Sequence, residues 1–190
     1  MCQEILDFAR DEIKTSPTPL ILPEFCQELA NTALEGLGVR VIYTCQLEEG
    51  VSPTMLLDKD KIWRVMMNLI GNAKDAMPEG GEVRLRLHMN QQEARLEVED
   101  TGIGIPEKIR DRLFRPFVTH GKTRGTGLGL AIVKRIVEAH GGTITFITAE
   151  GVGTTFYVTL PRRMAAKLEV GSAGTASTED QKRRIESTKV

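Results

Sequence analysis

The sequence predicts an α+β domain of two layers, in which a mixed, mostly antiparallel sheet is covered on one face by helices. Three stretches carry that expectation. From Asp58 to Met77, the apolar residues Ile62, Val65, Met66, Leu69, Ala73 and Ala76 fall on one stripe at about 100° per residue, the period of an amphipathic helix. Val83, Leu85, Leu87 and Met89 then alternate with charged or polar residues, as do Ala94, Leu96 and Val98 beyond the Asn90-Gln91-Gln92 turn. That pattern predicts a hairpin with one buried face. A second hairpin is expected from Thr143 to Thr148 and Thr154 to Leu160, joined through Glu150-Gly151-Val152-Gly153.

The remaining elements follow in chain order. Met1 to Lys14 places Ile5, Leu6, Phe8, Ala9 and Ile13 at helical spacing, and Thr15-Ser16-Pro17-Thr18-Pro19 stops the helix. Leu20-Ile21-Leu22 reads as a short strand. Pro23 opens a helix carrying Phe25, Leu29, Ala33, Leu34 and Leu37, which Gly38 ends, and Val39 to Cys45 reads as a strand. Pro78 and Gly80-Gly81 stop the long helix. Thr101 to Thr126 is rich in glycine, proline and charge, with one helical piece near Glu107 to Leu113, and connections of such length are commonly functional. Leu130, Ile132, Val133, Ile136 and Val137 mark a last helix from about Leu128 to His140, capped by Gly141-Gly142. Beyond Pro161 the chain becomes small and polar, then charged, so a disordered tail is expected.

Composition narrows the function. A chain of 190 residues, 41% hydrophobic and 27% charged, suits one soluble domain. Its formal net charge of -1 offers no general attraction for nucleic acid or an anionic membrane. No apolar stretch approaches the roughly 20 residues of a spanning helix, and Met1-Cys2-Gln3-Glu4 lacks the regions of a signal peptide. A cytoplasmic location without membrane contact by this segment is expected. Cys2, Cys26 and Cys45 match neither a disulfide framework nor a zinc site.

Three local patterns carry chemistry. Asn68, Asn72 and Asp75 lie four and three residues apart, so they share a helix face bordering the apolar stripe. An amide oxygen such as that of Asn72 suits Mg²⁺, which keeps waters and bridges to substrate phosphates. Asp100-Thr101-Gly102-Ile103-Gly104-Ile105 puts a carboxylate at a strand end, before glycines that let backbone approach closely. Such a carboxylate accepts from an adenine amino group and rejects the guanine carbonyl. Gly125-Thr126-Gly127-Leu128-Gly129-Leu130 precedes an apolar helix, so free amides and the positive helix end can face a phosphate chain. Taken alone, each has a plainer reading: solvated helix positions, an ordinary turn, a glycine-rich hinge.

Together, in this order, they resemble the catalytic and ATP-binding domain of sensor histidine kinases, in the wider group (GHKL) that contains gyrase, Hsp90 and MutL. The resemblance runs from about Thr18 to Pro161. Asn68 to Ala73 resembles the N box, Asp100 to Gly104 the first glycine box, and Phe114-Arg115-Pro116-Phe117 the F box. Gly125 to Leu130 resembles the second glycine box, and Gly151 to Phe156 the last. The resemblance implies the Bergerat fold, a two-layer α/β sandwich with a mobile ATP lid between Phe117 and Arg124. It implies that Asn72 holds Mg²⁺, that Asp100 binds the adenine amino group with help from Thr154, and that Gly102, Gly104 and Ile105 line the base pocket. Phe117, Lys122, Arg124, Gly125, Thr126, Gly127, Leu128, Gly129 and Leu130 would close over ATP, with Asn68, Asn72 and Lys122 as the catalytic group. Asp75 stands where many histidine kinases carry a basic residue, and its implied part, orienting a metal-bound water, is secondary.

Hydrolysing relatives place a water-activating glutamate at the first N-box position, where this chain has Asn68, which cannot take a proton. None of His88, His120 and His140 precedes an acidic residue in a helix, as an acceptor histidine would. The expected enzyme is therefore a protein histidine kinase catalytic domain acting on its own dimerisation and phosphoacceptor domain, with a response regulator downstream. The alternatives are an independent ATPase and a nucleotide-binding module without catalysis. Expected boundaries are 1–14 for the end of the preceding helix, 15–163 for the ATP-binding domain and 164–190 for the tail.

Overall fold

The structure, a computed structural model, describes residues 13–118 and 126–162. The expected helix over most of residues 1–14, the lid residues Lys122, Arg124 and Gly125, and the tail lie outside the described residues. Within them the order is β1 (Thr18–Ile21), α1 (Leu22–Leu37), β2 (Arg40–Leu47), β3 (Thr54–Leu57), α2 (Lys59–Asp75), β4 (Glu82–Met89) and β5 (Glu93–Asp100). There follow α3 (Glu107–Arg110), α4 (Gly129–Ala139), β6 (Thr143–Ala149) and β7 (Gly153–Pro161). Five strands form one sheet in the order β2-β4-β5-β7-β6, with β2 parallel to β4 and every other pair antiparallel. β1 and β3 pair separately. α1 packs on β2 and α2, while α2 packs on α4 and β5, so the mixed sheet carries its helices on one face.

Alternation decides which face that is. Val83, Leu85, Leu87 and Met89 of β4 are buried against the helices, with Leu96, Val98, Val158 and Leu160 of the neighbouring strands. Ile62, Val65, Met66, Leu69 and Ile70 of α2 fill the space above them. Each such fully buried aliphatic side chain contributes about 1.5–3 kcal/mol. The opposite face is charged. Arg84 pairs with Glu99 at 2.9 Å, Arg86 with both Glu97 and Glu99, and Arg95 with Glu97 at 3.1 Å. The pairs between β4 and β5, from Arg84 and Arg86 to Glu97 and Glu99, help fix the register that the buried face demands.

Some boundaries differ from the pattern. Leu22 belongs to α1 and not to a strand, because Ile21 is the extended N-cap and Pro23 occupies the first turn. β3 has only four residues, too few to display alternation, and its partner β1 lies beyond α1 and β2. The helical piece after Glu107 ends at Arg110, and the chain continues through tight turns in which Arg112 N donates to Ile109 O and Leu113 N to Arg110 O.

Asp58 caps α2. Its Oδ1 accepts from Lys61 N at 3.1 Å, and its Oδ2 accepts from Ser16 N at 2.9 Å and Lys61 Nζ at 3.0 Å. Its own N–H donates to His140 Nε2 at 3.2 Å, so the His140 proton sits on Nδ1 and is donated to Ile136 O at 2.8 Å. His140, buried at the end of α4, is thus a structural joint to the start of α2. Burial pushes the Asp58 carboxyl up, but the Ser16 and Lys61 donors outweigh it and hold the group below 3.8. A carboxyl with a lowered folded pKa contributes stability above its unfolded value that is lost as pH falls through the folded one. Asp58→Ala is therefore expected to lower unfolding free energy by about 1–2 kcal/mol at pH 7. The difference from wild type, followed by denaturant titration, should shrink below pH 3.8.

Candidate nucleotide site

The site is built where β5 ends. Asp100, the last residue of β5, lies opposite Thr154 at the start of β7, and Thr154 lies opposite Thr148 on β6, so the three form one cross-strand row. The row continues the buried, helix-covered face, because Asp100 also opposes the buried Val83. Asp100 is only 6% exposed. Its Oδ1 accepts from Gly102 N at 2.8 Å and Thr154 N at 3.3 Å. Burial pushes the carboxyl above its ordinary value; the two backbone donors pull the other way and the nearby Glu99 charge adds to the rise. Both bonds fall on Oδ1. Oδ2 is the oxygen with lone pairs to offer a ligand.

Thr148 does not stand out in the sequence, yet it ties the row together. Its hydroxyl accepts from Ile105 N at 2.9 Å, donates to Gly153 O at 3.0 Å and lies 3.0 Å from the Thr154 hydroxyl. Only the pairing of β5, β7 and β6 reveals this, since no local motif brings positions 100, 105, 148 and 154 together.

The loop after Asp100 is fastened to the end of α2. Ile103 N donates to Ala76 O at 3.0 Å, and a Cβ added to Gly102 would stand 2.6 Å from that same carbonyl oxygen. Only glycine permits this approach. Gly104 adopts φ 73° with its Cα against the Ala149 backbone, so it too meets a demand that other residues cannot. On the other side, Gly151 N donates to Ile103 O at 2.9 Å, joining the loop to the β6–β7 turn.

Further back along α2, Asn72 and Asn68 are half-buried. Asn68 Nδ2 donates to Arg64 O at 2.8 Å, and a Cβ on Gly129 would stand 2.8 Å from Asn68 Oδ1. The start of α4 is thereby held against the N-box face. Among the described residues no side chain caps α4, which leaves the amides of its first turn and its positive dipole end to face an anion. Leu128, buried beneath, accepts the first helical bond from Ile132 N at 2.9 Å, and its own N–H reaches Thr126 Oγ1 at 3.4 Å. Residues 68, 72 and 76 are spaced by single turns, which places Gly129 and Ile103 about 12 Å apart along α2 with Asn72 between them. Phe117, at φ 64° and 71% exposed, donates its N–H to Gly127 O at 2.9 Å, closing the two chain ends that flank residues 119–125. Phe114 of the same box instead turns inward, edge-on to Phe146 at 5.9 Å.

Residues 57–164 match the protein family described as histidine kinase-, DNA gyrase B- and HSP90-like ATPase. The chain belongs to this family. It is 48% identical over 114 residues to the sensor histidine kinase WalK of Bacillus subtilis, covering 55% of this chain and 18% of WalK. It is 34% identical over 169 residues to the adaptive-response sensory kinase SasA of a Synechococcus strain, covering 85% of this chain and 45% of SasA. The chain thus spans less than half the length of these curated relatives. Among solved structures, full-length ShkA in complex with AMPPNP superposes with a TM-score of 0.71 at 28% identity, over 86% of this chain and 35% of that one. The catalytic domain of histidine kinase ThkA superposes at 0.65 with 29% identity, over 78% of this chain and 97% of that one.

Within this histidine kinase-like ATPase domain the fold gathers Asn68, Asn72, Asp100, Gly102, Gly104, Ile105, Thr154 and the stretch from Thr126 to Leu130 along the half of α2 that runs from Asn68 to its C-terminal end. Asp75, expected on the same helix face, is exposed one turn beyond Asn72.

Proposed function

We propose that this chain is the Mg-ATP-binding catalytic domain of a cytoplasmic sensor histidine kinase, which transfers the γ-phosphoryl of ATP to a histidine on a separate helical domain. The observation that carries the reading is the arrangement along α2. Its C-terminal end meets the loop beyond the buried Asp100, Asn68 at mid-helix meets the open N-terminus of α4, and Asn72 stands between. A base at Asp100 and a phosphate chain at α4 suit a single extended nucleotide. Asp100 Oδ2 receives the adenine amino group, and the backbone amides of Gly129 and Leu130 receive phosphate oxygens. Asn72 is the residue that would hold Mg²⁺. Its neutral amide oxygen fits a hard cation that takes most of its ligands from phosphates and water. No group of three or more His, Cys, Asp or Glu able to hold a metal without the nucleotide occurs among the described residues. When bound, the metal neutralises charge on the phosphates.

The remaining work is positioning. Lys122 and Arg124 supply cations over the γ-phosphoryl. Asn68, bonded through one amide hydrogen to Arg64 O and packed against Gly129, cannot take a proton as a water-activating base, which favours transfer over hydrolysis. The partners under this reading are the protein's own dimerisation and phosphoacceptor domain and a response regulator.

The test supplies the histidine-bearing helical domain in cis or in trans with radiolabelled Mg-ATP. Acid-labile, base-stable label on that domain is the expected result. ATP bound without any transfer would make the chain a nucleotide-binding interaction module, and steady phosphate release without an acceptor would make it an ATPase.

A further inference from the structure

We propose that Thr148 is a positioning residue that leaves the Thr154 hydroxyl a hydrogen-bond acceptor beside Asp100, and thereby selects nucleotides whose purine carries an amino group at the 6 position. The proposal rests on Asp100 being the base-binding residue. It follows from counting protons. Thr148 has a single hydroxyl hydrogen, and Gly153 O, 3.0 Å away, can only accept, so that hydrogen is committed there. The contact of 3.0 Å between the Thr148 and Thr154 hydroxyls must then use the Thr154 hydrogen. With the Ile105 N–H at 2.9 Å as well, the Thr148 oxygen makes one donated and two accepted bonds, its full complement.

The consequence falls on Thr154. This residue stands beside Asp100 in the same cross-strand row and binds its Oδ1 through the backbone N–H. Its hydroxyl hydrogen points to Thr148, so lone pairs are all that the hydroxyl has left for a ligand. Beside the Asp100 carboxylate this gives two acceptors in a row. An amino group at the purine 6 position satisfies them, whereas the carbonyl of hypoxanthine or guanine meets acceptor against acceptor. Without Thr148 the Thr154 hydroxyl can rotate and donate to such a carbonyl.

The experiment measures dissociation constants of the 190-residue chain for ATP, ITP and inorganic triphosphate in wild type, Thr148→Val and Thr148→Ser. Wild type is expected to prefer ATP to ITP, and Thr148→Val to narrow that preference by about tenfold. Thr148→Ser, which keeps the hydroxyl, restores the preference, and triphosphate affinity stays constant throughout. A merely structural threonine would weaken all three ligands together. Thr148→Cys, close in shape with weak hydrogen-bonding capacity, serves if the valine variant does not fold, and should narrow the preference in part. An unchanged ATP-to-ITP ratio in the folded variant, alongside a ratio that collapses in Asp100→Asn, overturns the role of Thr148. Unchanged ATP affinity in Asp100→Asn would instead remove the base reading itself.

Discussion

Replacing Asp100 with asparagine is expected to weaken ATP binding by about a hundredfold or more while leaving Tm unchanged or slightly raised. The two effects separate because the two carboxylate oxygens do different things. Oδ1 accepts from Gly102 N and Thr154 N, and an asparagine oxygen can keep both bonds. Oδ2 becomes an amide, so an acceptor facing the adenine amino group turns into a donor facing a donor. Stability moves the other way. Burial raises the Asp100 carboxyl above 3.8 despite its backbone donors, so the folded chain holds that proton more tightly than the unfolded chain. Stability from this group therefore falls as pH rises from 3.8 through the raised folded value, and the penalty of burying the charge is fully present above it. Asparagine removes that penalty at pH 7. Calorimetric titration and thermal unfolding on the same samples make the check. Wild-type ATP affinity should also weaken as pH falls through the raised value, a dependence the variant lacks. Equal ATP affinity in the two proteins would refute the adenine role.

The sequence made the regular elements legible wherever the buried face repeats. The stripe through α2 and the alternation along β4 and β5 announce their own partners, because a helix or strand buried on one side needs a periodic apolar set. The motif residues at Asn72, Asp100 and Gly129 stood out for a different reason: each pattern alone has a plainer reading, and only their order along the chain pointed to one nucleotide. What stayed hidden depends on pairings between distant segments. β3 is too short to show a period, and the parallel pairing of β2 with β4 spans β3 and α2. Thr148 looks like any outward threonine of a hairpin until the β6–β7 register sets it opposite Thr154. His140 likewise reads as an ordinary helix end, and its part in holding Asp58 depends on where α4 stops relative to the start of α2.

Replacing Asn72 with alanine is expected to reduce phosphoryl transfer by about 10²–10³-fold, the scale for losing one preorganised electrostatic contact to a transferring group. The geometry of α2 explains why the loss should concentrate in transfer rather than in folding. Asn72 is half-buried on a helix whose packing is carried by Leu69, Ile70 and Ala73, none of which is touched. Alanine gains up to about 0.7 kcal/mol of helix propensity over asparagine, which offsets the polar contact removed. Unfolding free energy should thus stay within about 1 kcal/mol of wild type. The proposed base site lies one turn away, beyond Ala76, where Gly102 and Ile103 hold the Asp100 loop, so binding of adenosine alone should persist. Asn72→Asp keeps an oxygen at the same place and should recover part of the rate. A transfer rate in Asn72→Ala within a few-fold of wild type, with the fold intact, would show that the phosphates are held from the lid and α4 alone.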